Sequence, residues 1–261
     1  AFLRFPLIVG VVLIHSHITD GVVMNGVNVF SPVDFPAYRA VSNLLSDVFV
    51  RGRTAFFFIS GFLFFYKSAF SASVYKDKLR KRAWTVLVPY LFWNLVVVGL
   101  FFLAQTLMPS LTSGASKPIM DYSALDWLKA FWAKDSPDPD KIGMPIDYPL
   151  WFIRDLMMVM LFSPVVYGWV SSQPHGSLFG ARALSGSGFL AGSSFFVYAY
   201  HGMPLALAIK VVVRYLPPGS ELEVIGLYLG SACVVIGIGL ALYGGMRRCV
   251  PSFLSLITGG R

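Results

Sequence analysis

Apolar residues gather in this chain into long runs separated by polar segments. A helix needs about 20 mainly apolar residues to cross a bilayer core. Six runs approach that length, over 3–19, 46–66, 84–107, 150–170, 189–213 and 223–245. The pattern predicts an all-α, polytopic transmembrane helix bundle of about six spans, forming a single domain over 1–261. The segment after the second run, KSAFSASVYKDKLRKR, holds Lys67, Lys76, Lys78, Arg80, Lys81 and Arg82. It reads as a basic cytoplasmic loop, because Lys and Arg mark the side that stays inside. The N-terminus and the Arg247–Arg248 end then also lie inside, with 20–45 and 108–149 outside. Within the latter, YSALDWLKAFW predicts a short helix on the membrane surface, with Trp127, Phe131 and Trp132 toward lipid. A loop covering a substrate is the second reading of that segment. The Ser/Gly-rich stretch 171–192 reads as a flexible loop.

Composition sharpens this picture. The chain is 56% hydrophobic and 13% charged, with 23 phenylalanines and a mean hydropathy of +0.67. Those values exclude an ordinary soluble domain of 261 residues. The net charge of +8 does not point to nucleic acid, since the cations fall between apolar runs. Cys233 and Cys249 define no disulfide framework, and Cys233 sits in an apolar run as a small hydrophobe. No cleavable signal peptide is read in the first run, which carries Arg4, His15 and His17.

Arg4 and His15 are the most informative residues of that run. An eleven-residue step turns a helix by about 1100°, three turns and roughly 20° more, so both project from one face. They are about 16 Å apart along the axis, half a bilayer core. With Arg4 at the surface, His15 is held near mid-depth, where an ionisable group is costly and commonly functional. A histidine there can accept a proton near neutral pH. His17 points roughly 200° away from His15, near Asp20, and reads as a structural or rim residue. The four histidines form no H-E-x-x-H pattern, no Cys/His cluster exists, and no metal site is expected.

Further segments join this pair: FFFISGF (56–62), PYLFWN (89–94), LWFIRDL (150–156) and SFFVYAYHG (194–202). With the R-x10-H spacing, and in this order, they resemble the acyltransferase-3 family of integral-membrane acyltransferases, among them bacterial envelope sugar O-acetyltransferases. The resemblance covers about 1–94 and 148–202. It implies a membrane acyltransferase that moves an acyl group, acetyl by expectation, from acyl-CoA to a hydroxyl of a glycan or lipid-linked sugar. It implies a bacterial inner-membrane location, no bound cofactor and acyl-CoA as donor substrate. Two departures stand out. The family's R-x-x-R motif at the basic segment is incomplete, with Thr85 three residues after Arg82. The family's usual ten or so spans exceed the six counted, and the shortfall falls between LFSPVVYGWV and SSFFVYAYHG, near 171–188.

Each candidate carries two readings. His15 is the expected general base, with Arg4 beside the reacting oxygens. Arg53, Ser60, Trp151, Arg154 and His201 are candidate substrate-binding residues. Their plainer roles are an Arg that snorkels to the interface, a Ser–Gly pair for close helix packing, an interfacial Trp anchor and packing groups. Lys78, Arg80, Lys81 and Arg82 are topogenic by default and, functionally, candidates for the phosphates of coenzyme A. A transporter or flippase for an acylated sugar is the alternative, since intramembrane ionisable groups also suit proton coupling. Broken helices would favour it. A non-catalytic membrane subunit of an envelope-synthesis complex is the third reading.

Overall fold

The computed structural model describes residues 4–19, 21–49, 71–112, 116–136, 141–165 and 188–260. Helix α1 spans Arg4–Ser16. A hairpin of β1 (Val22–Met24) and β2 (Val27–Phe30) follows, turning at Asn25 and Gly26, both at positive φ. This is the Asn-Gly chemistry of a tight hairpin. Residues 36–49 form α2. Helix α3 runs Ala72–Leu107, and α4 spans Ala124–Trp132. Then come α5 (Trp151–Leu161), α6 (Gly188–Tyr200), α7 (Gly202–Tyr215), α8 (Glu221–Cys249) and α9 (Pro251–Thr258).

Among the described residues, α3 and α8 are each long and apolar enough to cross a membrane, and α6 with α7 makes a third such unit bent by 63°. The first expected run is the shorter apolar helix α1. Of the second, 50–66 lie outside the described residues, as do Lys67 and the 166–187 part of the fourth run and the Ser/Gly-rich stretch.

Three expectations change. The basic segment is no loop: 72–82 continues α3 as a helix with no buried residue, because Lys, Arg and Leu are good helix formers and Ser71 accepts from the Val74 N–H at 3.3 Å. The turn widens over Ala83–Leu87, where Pro89 has no N–H to offer the Thr85 carbonyl. The fifth span is not one helix. It breaks at His201, because Pro204 cannot donate backward and its ring excludes the Tyr200 carbonyl of a continuous helix. On α4, Phe131 turns inward against a small core with Val97, Val98 and Ile146, while Leu125, Trp127, Leu128 and Trp132 face outward. Helix α4 opens on a capping box between Ser123 and Asp126. The Lys117 ammonium, 2.6 Å away, and Ser123 hold the Asp126 carboxyl below the usual carboxylate range.

Polar segments collect at the two ends of the bundle. At one end, Arg82 lies close enough to Arg4 for their like charges to interact. There Gly259, at φ +70°, packs on the Thr85 carbonyl where a Cβ would collide. At the other, the Asn25 N–H donates to Thr112 O at 2.7 Å and Lys210 Nζ to Leu111 O at 2.9 Å. Helix α8 packs on α1, α6 and α7. Its Glu221 carboxylate receives the N–H groups of Ala37 and Tyr38 at the start of α2.

The basic turns of α3 and the chain's C-terminal helix therefore share one face, and we expect it to be cytoplasmic. A cysteine introduced at Lys78 should react with an impermeant maleimide only after the membrane is opened. Reaction in intact cells would invert the orientation.

Candidate active site

His15 lies in the last turn of α1 and faces the interior, half-buried. The Tyr148 ring meets it edge-on at 4.9 Å, and the His201 ring stacks on it at 5.3 Å with 30° between planes. His201 is fully buried at the break between α6 and α7. Its Nδ1 is 2.7 Å from the Tyr198 carbonyl. A carbonyl only accepts, so Nδ1 carries the proton and Nε2 is left with its lone pair. Among the described residues, Nε2 has no hydrogen-bond partner.

Tyr148 comes from a part of the 108–149 segment that folds back between the helices. Asp147 and Leu150 are 2% and 0% exposed. Asn94 of α3 holds this stretch, accepting the Asp147 N–H on Oδ1 at 3.2 Å while its Nδ2 donates to Tyr90 O at 2.8 Å. The Tyr198 hydroxyl donates to the Pro149 carbonyl. Gly202 makes room, since a Cβ there would sit 3.0 Å from Pro149 Cγ and 3.5 Å from Asp147 Oδ1. Burial drives the Asp147 carboxyl well above the usual carboxylate range, and its Oδ2 has no partner among the described residues.

The structure joins only some of the sequence candidates. His15 and His201 are in contact. Arg4 is exposed at the opposite end of α1, near Arg82, so the two members of the R-x10-H pair do not share one enclosed cavity. Arg4 lies in the first described turn of α1, and its long side chain reaches the polar end. His17 is held by Ser46, Nδ1 to Oγ at 3.3 Å, and packs beside Tyr38 and Tyr228. Arg154 bonds the Trp132 and Gly143 carbonyls at 2.6 and 2.5 Å and pairs with Asp155 at 2.9 Å. It thereby fastens the stretch that holds Trp132 and Gly143 to α5. Trp151 opens α5 beside Phe152. Lys78, Arg80, Lys81 and Arg82 lie on the first turns of α3. Arg53 and Ser60 fall outside the described residues.

Asn94, Asp147, Tyr148 and Tyr198 were not singled out by the sequence. Asn94 closes PYLFWN and Tyr198 lies in SFFVYAYHG, so the motifs contained them. Asp147 had no such signal, being one aspartate among several in a polar segment.

With this geometry in place, comparison with known proteins is informative. Residues 2–181 match the acyltransferase-3 family, described as an acyltransferase domain. Over 122 residues the chain is 30% identical to the succinoglycan biosynthesis protein ExoH of Rhizobium meliloti (strain 1021). That alignment covers 46% of this chain and 30% of the relative, so the chain spans about a third of the length of the curated relative it matches. No solved structure matches. The family match covers more than half of the chain, and the chain belongs to the acyltransferase-3 family.

Gly202→Val should press on Pro149 and destabilise the protein by about 1–3 kcal/mol. Gly99→Ala, on an open face of α3, should be neutral or stabilise by up to about 1 kcal/mol. Thermal melts in one detergent compare the two, and equal melting temperatures would refute the packing argument.

Proposed function

With membership of a membrane acyltransferase family as the premise, we propose that this chain carries an acyl group, acetyl by preference, from acyl-CoA to a hydroxyl of a glycan or lipid-linked sugar. The observation that carries the proposal is the contact of His15 with a second buried imidazole, next to a chain segment that brings its own polar groups inside. Acyl transfer to a hydroxyl needs a base for the hydroxyl proton and positive charge or donors for the developing oxyanion. His15 is the assigned base. The donor's phosphates go to Lys78, Arg80, Lys81 and Arg82, and Arg4 extends that basic end toward α1. Arg53, Ser60, Trp151, Arg154 and His201 remain the substrate-side assignments, with Arg154 acting through the loop it fastens. A bacterial inner-membrane setting, with both ends inside, fits a cytoplasmic acyl-CoA and an acceptor from the outer face.

The proposed step is balanced simply. The acceptor oxygen bonds the thioester carbonyl carbon as His15 takes its proton, and the carbon–sulfur bond breaks to release the coenzyme A thiol with that proton.

The break at His201 favours a second reading, transport of an acylated sugar, since discontinuous helices with buried polar groups also line transport sites. Purified protein separates the two. Acyl-CoA consumption dependent on an added sugar supports the enzyme, and sugar flux across proteoliposomes without it supports the transporter.

His15→Ala should lower transfer by about 10²–10⁴-fold, the usual loss of a positioned base. His17→Ala, on another face beside Ser46, should cost less than about tenfold. If His15→Ala transfers normally while His201→Ala does not, the base is His201.

Neutralising Lys78, Arg80, Lys81 and Arg82 together should raise the donor KM and leave the acceptor KM unchanged. An unchanged donor KM in inserted protein would remove the coenzyme A assignment.

A further inference from the structure

Two buried polar atoms beside His15 have no partner among the described residues, His201 Nε2 and Asp147 Oδ2. Both residues border His15: the His201 ring stacks on it, and Asp147 precedes Tyr148, whose ring meets it edge-on. Asp147 Oδ1 lies 3.5 Å from where a Cβ of Gly202, the residue after His201, would stand. Native interiors seldom leave such atoms unsatisfied, because each forfeits the hydrogen bond it made to water. Two such atoms around one histidine leave partners free for a polar ligand.

Their chemistry restricts that ligand. His201 Nε2 accepts and does not donate, because Nδ1 is committed to the Tyr198 carbonyl. It needs an O–H or N–H, which a thioester carbonyl lacks. The Asp147 carboxyl sits in a buried setting that favours its neutral form, which both donates and accepts. An ionised phosphate or carboxylate would offer His201 Nε2 no hydrogen and would meet the Asp147 carboxyl's own oxygens. Adjacent hydroxyls, each donor and acceptor at once, satisfy both atoms.

We propose that Asp147 and His201 form a subsite that binds neighbouring ring hydroxyls of a sugar acceptor, so presenting a third hydroxyl to His15. This deepens the acyltransferase reading and rests on it for the word acceptor. Binding of the sugar itself does not need acyl transfer. Asn94 and Gly202 serve the subsite indirectly, one by holding the Asp147 backbone and the other by leaving room for the carboxyl.

The test is a titration of the full-length chain in nanodiscs, without acyl donor, followed by tryptophan fluorescence. The probes are methyl glycosides of glucose, galactose, mannose and N-acetylglucosamine. At least one should bind, and Asp147→Leu and His201→Phe should each weaken it about 10- to 100-fold, the worth of a buried hydrogen bond to a polar partner. Asp147→Asn, which keeps a donor and an acceptor, should stay within about threefold. A monodeoxy analogue should lose the same factor against the wild type and nothing further against Asp147→Leu.

A stability readout guards against misfolding. Without sugar, each variant should give one cooperative melt, so that a lost affinity is read on folded protein. Binding that falls as far in Asp147→Asn as in Asp147→Leu overturns the proposal. So does equal binding by the variants, or the absence of any glycoside binding to the wild type. Sugar binding that survives in a protein unable to consume acyl-CoA would refute the acyltransferase reading and leave the subsite standing.

Discussion

The arrangement depends on one constraint: a non-helical chain segment, Asp147–Leu150, has to be held inside a mostly apolar bundle. Backbone groups withdrawn from water need partners, and few are to hand among membrane helices. Asn94 supplies one at the Asp147 amide, and the Tyr198 hydroxyl supplies another at the Pro149 carbonyl. Because these anchors come from α3 and α6, the segment ties together helices far apart in sequence. Its own side chains then set the pocket. Tyr148 reaches the His15 ring, Asp147 faces the start of α7, and Pro149 packs on Gly202.

The break at His201 follows the same logic. An interrupted helix exposes backbone, which is tolerated at membrane depth only where protein covers it. Here the covering is the Asp147–Leu150 segment, and the interruption places an imidazole with a fixed tautomer against His15. The cluster of Lys78, Arg80, Lys81 and Arg82 stands elsewhere, at the end of the bundle that holds Arg4 and the C-terminal helix, while Lys141 lies over the Tyr148 ring at 5.2 Å. About three helical turns separate Arg4 from His15. A charged donor and a neutral acceptor would thus be recognised by different chemistry at different depths.

Sequence patterns carried the helical class and the long spans α3 and α8, because apolar runs depend on local geometry alone. The ends of several elements were equally local. Ser123 with Asp126, Ser220 with Glu223, and Asn25-Gly26 are short-range signals of caps and a turn. The kink at His201 was also written locally, in Gly202 and Pro204, but a continuous apolar run concealed it. The basic segment misled for the opposite reason: charge reports sidedness and says little about helicity, and Lys, Arg and Leu propagate α3 well. Burial of Asp147 was not legible at all. It depends on Asn94 and Gly202, more than fifty residues away on either side.

The stacked histidines limit how the proposed chemistry uses protons. A proton taken by His15 puts one positive charge in the stack. A second on His201 would set two like charges 5.3 Å apart in a water-poor interior, a costly arrangement. His201 Nδ1 is already spoken for by the Tyr198 carbonyl, so its Nε2 is better used to accept from a bound hydroxyl than to carry a proton away. His15, half-buried and nearer the end of its helix, is the ring with a route for that proton. One imidazole then orients while the other transfers, and the Asp147 carboxyl, whose burial favours its neutral form, adds to the polar lining beside them.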